Sequence, residues 1–176
     1  MYKFPKEGDF TEKTLNMQTI QTYFNATQVE MTAEYILEIA NKERLKFKDG
    51  SFERVFIGGH SQGAIVSLAA FLKHTGPQHL GGIIALSGFV GVNAPPMSLD
   101  QAKLHSETPL YLYHGKRDAL LPIELARYTY TNLQSKFYSR PQFRSNFSLL
   151  VSEYGTHDMD ELGTSTMFSW LDKLRQ

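Results

Sequence analysis

The sequence predicts an α/β domain with a mostly parallel sheet flanked by helices. Short, uniformly apolar segments alternate with longer segments whose apolar residues recur at helical spacing, which is typical of such sheets. Polar loops containing Gly or Pro separate the segments. With 176 residues, 41% of them hydrophobic, the chain can bury a substantial core, and we expect one domain over residues 1–176.

The first part of the chain changes from a polar segment to a helix and then to a strand. Residues 1–24 are rich in Thr, Gln and Asn, and we expect them to be irregular. Thr27 and Glu30 have the spacing of a capping box, which predicts that a helix starts there. The apolar residues that follow at helical spacing are Val29, Ala33, Ile36, Leu37 and Ala40. Residues 54–57 then predict a strand buried on both faces, and residues 64–73 predict a helix.

The same alternation continues to the end of the chain. Residues 82–86, 109–113 and 147–151 are further short apolar segments, which we interpret as buried strands. Pro122 suits the first turn of a helix between the third and fourth strands. The apolar face of that helix consists of Ala126, Tyr130, Leu133 and Phe137. The residues on one side of a closing helix are Met167, Trp170, Leu171 and Leu174. Such sheets bind ligands beyond the carboxyl ends of their strands.

A serine lies between the first predicted strand and its helix, within Gly59-His60-Ser61-Gln62-Gly63. This stretch matches the G-x-S-x-G pattern of a nucleophile elbow, whose sharp turn exposes the serine hydroxyl. In such a turn, side chains two residues before and two residues after the serine would collide. We therefore expect that the turn requires small residues at these two positions, Gly59 and Gly63. An ordinary glycine-rich turn is the alternative, but the position between a buried strand and a helix favours the elbow.

A serine hydroxyl needs a base to take its proton. Of the six histidines, His157 follows the fourth predicted strand and lies in a loop at the carboxyl edge of the sheet. A solvated loop histidine is the alternative interpretation. We expect His74 and His79 to be exposed beside a helix end and His105 to lie in a polar loop. His60 is expected to point away from the neighbouring serine side chain.

The base in turn needs a carboxylate that orients the imidazole and stabilises its charged form. Asp118 follows the third predicted strand and is well placed for this role. Considered alone, Asp118 is typical of a turn residue that pairs with Arg117 or caps the helix beginning near Pro122. Together with Ser61 and His157 it gives the chain order Ser, Asp, His, which favours a triad.

Composition excludes several other function classes. The 18 basic and 18 acidic residues balance, so electrostatics does not favour a nucleic-acid partner. The chain has no cysteine, which excludes disulfides and thiolate ligands and is compatible with an intracellular, cytoplasmic protein. No apolar segment approaches the length of a membrane span. No cluster has metal-ligand spacing, and we expect neither a metal nor another cofactor.

Several of these stretches resemble the phospholipase/carboxylesterase family, which includes the acyl-protein thioesterases. The stretches that carry the resemblance are residues 57–64, Leu86-Ser87-Gly88, residues 109–118 with Pro122, and Gly155-Thr156-His157. The resemblance runs from about residue 15 to the C-terminus and implies an α/β-hydrolase fold. It also implies a serine hydrolase acting on acyl esters or thioesters.

The family pattern assigns a role to each site residue. It makes Ser61 the nucleophile, Asp118 the acid and His157 the base, and it makes the backbone N–H of Gln62 an oxyanion-hole donor. His60 stands where an aromatic residue is usual in the family, and Ala64 stands where a third glycine is common.

One departure from the family concerns the N-terminal region. Family members begin with a strand and a His-Gly loop that supplies a second oxyanion donor, and we expect this chain to be an N-terminally truncated version of the fold. The first strand at Val55–Ile57 would then have an exposed apolar edge, which proteins ordinarily avoid. We therefore expect another polypeptide to cover this edge, either a protein partner, a second copy of the chain through self-association, or an N-terminal part absent from this sequence. A catalytically weak or inactive structural subunit of a larger assembly is the alternative to an enzyme.

Overall fold

The computed structural model describes residues 17–22 and 24–175. The helices are α1 (Met17–Gln21), α2 (Ala26–Arg44), α3 (Gln62–Lys73), α4 (Leu99–Glu107), α5 (Ile123–Phe137) and α6 (Glu161–Lys173). The strands are β1 (Phe56–His60), β2 (Gly82–Leu86), β3 (Leu110–Gly115) and β4 (Phe147–Ser152). Short 3-10 helices precede β1 and β4, at Phe52–Arg54 and Pro141–Asn146.

The four strands form one sheet in the order β1-β2-β3-β4, and every pair is parallel. The register pairs Ile57 with Ile83 across β1 and β2, and Leu86 with Tyr113 across β2 and β3. The carboxyl ends of the strands therefore meet at one edge of the sheet. The predicted parallel α/β architecture is confirmed.

Alternate residues of β3 face two different apolar layers. Leu110 and Leu112 belong to the large cluster that also holds buried residues of α2, α3 and α5. Tyr111 and Tyr113 belong to a second cluster with Trp170 of α6. Because side chains of a strand point alternately to opposite faces, the sheet is covered by helices on both sides. All four of these β3 side chains are fully buried.

The N-terminal expectations need two corrections. Residues 17–21 form a helix, so the segment 1–24 is not irregular throughout; residues 1–16 and 23 lie outside the described part. Helix α2 also begins earlier than the predicted capping box. Its N-cap is Asn25, whose backbone is extended and whose side-chain oxygen accepts a hydrogen bond from the Gln28 N–H at 3.1 Å. Thr27 lies inside the helix because Asn25 already satisfies this free N–H group.

Helix α4 was missed because it has almost no apolar periodicity. Only His105 and Ser106 of the helix are buried. The available signal was local: Ser98 and Gln101 form a capping box in which each side chain accepts a hydrogen bond from the other's backbone N–H. His105 therefore lies in a helix rather than in a polar loop. The expectation that His74 is exposed is also wrong, since only 4% of it is accessible to solvent.

Strand β1 begins two residues later than predicted and is the edge strand of the described sheet. Phe56 is 42% exposed, so this strand is not buried on both faces. The side chains of Val55 and Ile57 are covered, with 7% of each residue exposed, because both pack into the large cluster with α2 and α3. The expected apolar exposure at this edge is therefore correct for Phe56 and wrong for its two neighbours.

Candidate active site

The turn between β1 and α3 places Ser61 in a backbone conformation that side-chain-bearing residues rarely adopt. Its φ is 57° and its ψ is −119°. Three backbone hydrogen bonds hold this conformation. The Ser61 N–H donates to the Leu86 carbonyl at 2.8 Å, and the Ser61 carbonyl accepts from the N–H groups of Ala64 and Ile65 at 3.0 and 3.2 Å. Strain of this kind persists only where the surroundings fix it, and it concentrates at functional sites.

The two glycines of the elbow are not equivalent. A Cβ atom on Gly59 would lie 2.4 Å from the carbonyl carbon of Gly63, which is far inside van der Waals contact. A Cβ atom on Gly63 would meet no atom within 4 Å. The expected requirement for a small residue is therefore correct at Gly59 and wrong at Gly63, because a side chain at position 59 would collide with the backbone of Gly63 and a side chain at position 63 would collide with nothing.

A second serine with positive φ ends the neighbouring strand. Ser87, directly after β2, has a φ of 52°, and its N–H donates to the Tyr113 carbonyl at 2.8 Å. Its hydroxyl is buried and has no hydrogen-bond partner in the described structure. Gly88 follows it and packs against the elbow, since a Cβ there would lie 2.5 Å from the Cβ of Ala64. In the sequence, Leu86-Ser87-Gly88 served only as a family motif, and the packing of Gly88 against the elbow was not predicted.

Asp118 and His157 are in direct contact. The Nδ1–H of His157 donates to Oδ2 of Asp118 at 2.8 Å, and the carboxylate is fully buried while 17% of the imidazole is exposed. The other oxygen, Oδ1, accepts the backbone N–H groups of Leu120 and Leu121, both at 2.8 Å. Arg117 does not pair with Asp118, since its guanidinium lies over the ring of Tyr154. Asp118 therefore organises the turn before α5 and orients His157 at the same time.

A second histidine, His114, lies on the other side of Asp118. Its Nε2 is 3.5 Å from Asp118 Oδ2 and donates to the Leu121 carbonyl at 2.8 Å. Burial lowers the pKa of His114, which favours the neutral imidazole beside the carboxylate. From the sequence, His114 was assigned no role. The available signal was a histidine four residues before the aspartate, at the end of an apolar strand.

His60, the last residue of β1, contacts the candidate base. Its Nε2–H donates to the backbone carbonyl of His157 at 2.8 Å, and the two imidazole centroids are 4.8 Å apart. Among the described residues, the carboxylate oxygen nearest to its Nε2 is Oδ1 of Asp158, at 3.9 Å. Sequence reasoning expected only that this side chain would avoid Ser61, and it missed the contact with His157.

The structure thus joins two of the three predicted triad residues directly. Ser61 follows His60 in the chain, and the His60 side chain touches His157. Across residues 17–22 and 24–175, no hydrogen bond links the Ser61 hydroxyl to His157. Hydrogen bonds of a catalytic pair are often long before substrate binds and shorten in the complex.

The first turn of α3 offers hydrogen-bond donors beside Ser61. The N–H groups of Gln62 and Gly63 have no acceptor in the described part of the chain. A helix N-terminus carries partial positive charge, which favours an anion at this point. An open cleft of about 370 Å³ adjoins Gln62. It is lined by Phe24, Asn25, Gln28, Val29, Met31, Thr32, Gln62 and Val66.

No group of three or more His, Asp or Glu side chains among the described residues is arranged to hold a metal ion. In the same part of the chain, no helix combines the length and the apolar character that crossing a membrane requires.

The family model for phospholipase/carboxylesterase matches residues 16–156, most of the chain. The chain belongs to the phospholipase/carboxylesterase family. The resemblance predicted from its motifs is therefore confirmed.

Curated relatives are acyl-protein thioesterases. Acyl-protein thioesterase 1 of Schizosaccharomyces pombe is 38% identical over 106 residues, which cover 57% of this chain and 45% of the relative. The Saccharomyces cerevisiae protein of the same name is 43% identical over 75 residues, covering 42% of this chain and 31% of the relative. The matches thus span less than half the length of these two relatives.

Solved structures confirm the fold of this phospholipase/carboxylesterase member. Arabidopsis thaliana SOBER1 has a TM-score of 0.65 at 21% identity, covering 87% of this chain and 67% of that one. Zea mays acyl-protein thioesterase 2 has a TM-score of 0.61 at 18% identity, covering 98% and 72%. At these identities the likeness concerns the fold alone, and the predicted α/β-hydrolase class is confirmed.

Proposed function

We propose that this chain carries the catalytic residues of a serine hydrolase that cleaves acyl esters or thioesters through an acyl-enzyme. The observation that carries the proposal is the 2.8 Å hydrogen bond from His157 to the buried Asp118, at the same sheet edge as the strained Ser61. A nucleophile, a base and an orienting acid are the three parts that such chemistry requires.

The proposed reaction begins with proton transfer from the Ser61 hydroxyl to Nε2 of His157. Nε2 is free to accept this proton because Nδ1 carries the proton that is donated to Asp118. The serine oxygen bonds to the acyl carbon, and the resulting oxyanion accepts a hydrogen bond from the Gln62 N–H. The C–S or C–O bond then breaks, and the imidazolium returns the proton to the leaving thiolate or alkoxide. Water repeats the sequence on the acyl-serine and releases the acid.

The electrostatics of the site support this assignment. Asp118 is buried and receives hydrogen bonds from two backbone N–H groups and from His157. A carboxylate bonded to Nδ1 of the base stabilises the imidazolium formed during acylation. The choice of thioesters as substrates rests on the similarity to proteins named acyl-protein thioesterases.

The proposal is tested by labelling with a fluorophosphonate, which reacts covalently with activated serines. We expect the chain to be labelled, the Ser61→Ala variant to remain unlabelled, and a Ser169→Ala variant to label like the original. Ser169 is a suitable control because it is an exposed serine of α6 that bonds only within its own helix. Labelling that persists in Ser61→Ala, or no labelling of the folded chain, would reject the mechanism.

The reaction class is tested by hydrolysis of p-nitrophenyl acetate and of a short acyl thioester. An acyl-enzyme predicts a burst of the first product, followed by a slower steady state. The alternative of a weak or inactive structural subunit predicts no burst. The hydrogen-bonded Asp118–His157 pair and the names of the relatives favour the enzyme.

A further inference from the structure

We propose that His60 is a positioning residue that fixes the base His157 relative to the nucleophile; this inference rests on the proposed function. Its Nε2–H donates to the His157 carbonyl at 2.8 Å. The imidazole also packs against the His157 ring, with centroids 4.8 Å apart and planes inclined by 58°. His60 therefore contacts both the backbone and the ring of the residue proposed to move the proton.

The value of this contact comes from where His60 lies in the chain. It is the last residue of β1, so Ser61 follows it directly. His157 lies in the loop between β4 and α6, about 100 residues later in the sequence. A hydrogen bond from His60 to the His157 backbone therefore sets the distance between the nucleophile's strand and the base's loop.

The loop around His157 has separate anchors for its other parts. The Gly155 carbonyl accepts from the Arg117 N–H at 2.9 Å, and the Gly155 N–H donates to the Ser152 hydroxyl at 3.1 Å. Asp118 holds the imidazole of His157 at Nδ1. Among the described residues, the His157 carbonyl is held by His60 alone. Without that bond, the imidazole could pivot about Asp118 and move its Nε2 relative to Ser61.

The hydrogen bond from His60 to the His157 carbonyl positions His157, and an ion pair between His60 and Asp158 does not. The oxygen of Asp158 nearest to His60 Nε2 is 3.9 Å away, and 92% of the Asp158 side chain is exposed to solvent. An exposed pair at that separation contributes little. Because a carbonyl oxygen only accepts, Nε2 of His60 must carry a hydrogen for the bond to exist. A substitution that removes this donor while keeping a ring isolates the effect.

Three variants separate positioning from general structural effects. His60→Phe keeps an aromatic ring against His157 and removes the donor, whereas His60→Gln places an amide donor near the position of Nε2. His79→Phe is the matched control, because Nδ1 of His79 also donates to a backbone carbonyl, that of Leu80, at 2.8 Å. His79 lies before β2, away from the proposed site.

We expect His60→Phe to lower kcat and the fluorophosphonate labelling rate about tenfold, the effect of one lost hydrogen bond. In His60→Phe, KM and the unfolding midpoint should change little. His60→Gln should recover most of the rate, and His79→Phe should keep the original rate. A His60→Phe variant as fast as the control would overturn the proposal. So would a rate loss that accompanies a lowered unfolding midpoint and is not recovered by glutamine.

A second measurement keeps the test valid if the chain proves inactive. The Nδ1–H proton of His157, held by Asp118, should give a protected low-field resonance in the proton NMR spectrum. Faster solvent exchange of this proton in His60→Phe, and not in His60→Gln or His79→Phe, would support positioning even where the proposed hydrolase activity fails. Unchanged exchange in His60→Phe would overturn positioning whether or not the chain is active.

Discussion

Replacing Gly59 by alanine tests the geometry of the elbow, and Gly63→Ala provides the matched control. The added Cβ at position 59 would lie 2.4, 2.5 and 2.8 Å from the carbonyl carbon, the oxygen and the Cα of Gly63. Ordinary contacts between such atoms are about 3.5 Å, so the end of β1 and the start of α3 must separate by about 1 Å. The same methyl group at position 63 meets open space.

The two variants should therefore differ in both stability and reactivity. Forced overpacking of this kind costs about 1–3 kcal/mol in the free energy of unfolding. A displacement of about 1 Å at Ser61 should also slow its reaction with a fluorophosphonate by about a hundredfold. Gly63→Ala should leave the free energy of unfolding unchanged or raise it by up to about 1 kcal/mol, because alanine is favoured over glycine in a helix.

Urea unfolding gives the stability of each variant, and the labelling rate under non-denaturing conditions gives its reactivity. Both are measured on the same preparations, so that loss of reactivity is separated from loss of folded protein. Equal behaviour of Gly59→Ala and Gly63→Ala would refute the argument that the elbow requires a glycine at position 59 alone.

Three further predictions concern the acid, the buried histidines and the sheet edge. Asp118→Asn should keep the fold and lower kcat by about 10⁴-fold, because it removes the charge that stabilises the imidazolium; a loss below about tenfold would argue against this role. Burial lowers the pKa of His74 and of His105 from 6.5, so the stability they contribute is complete above pH 6.5 and declines as pH falls below it. Urea unfolding between pH 5 and 8 checks this decline, and His105→Phe should flatten it. The outer side of β1 pairs with no described strand, so we expect the purified chain to self-associate and Phe56→Lys to weaken that association; a stable monomer by light scattering would contradict this.

The parallel strands and the chain order of the site could be predicted because both depend on local patterns. Short apolar segments predicted β2 over its full observed range, Gly82–Leu86, and placed β3 and β4 to within two residues. Positions that follow parallel strands share one sheet edge, which is why the sequence predicts that Ser61, Asp118 and His157 lie at the same edge.

Contacts between residues far apart in the chain could not be predicted in the same way. His60 and His157 meet because β1 and the loop after β4 approach one another in three dimensions, and no spacing in the sequence encodes that approach. Burial of His74 and His105 likewise depends on tertiary packing, in which rings of Phe52, Phe71 and Phe137 surround the two imidazoles. The residue type histidine alone does not predict whether the side chain is buried or exposed.

The two serines with positive φ set a lower limit on the number of strands that the strained turn at Ser61 requires. Ser61 is fixed by a hydrogen bond to the end of β2, and Ser87, at that end, is fixed by one to the end of β3. Each strained residue costs about 1–3 kcal/mol and depends on the next strand for support. A fragment ending after β2 would contain the whole G-x-S-x-G motif. It would still lack β3, whose Tyr113 carbonyl accepts the hydrogen bond that fixes Ser87 at the end of β2. The strained turn is therefore a property of at least three consecutive strands, and transplanting the five-residue motif by itself would not transfer it.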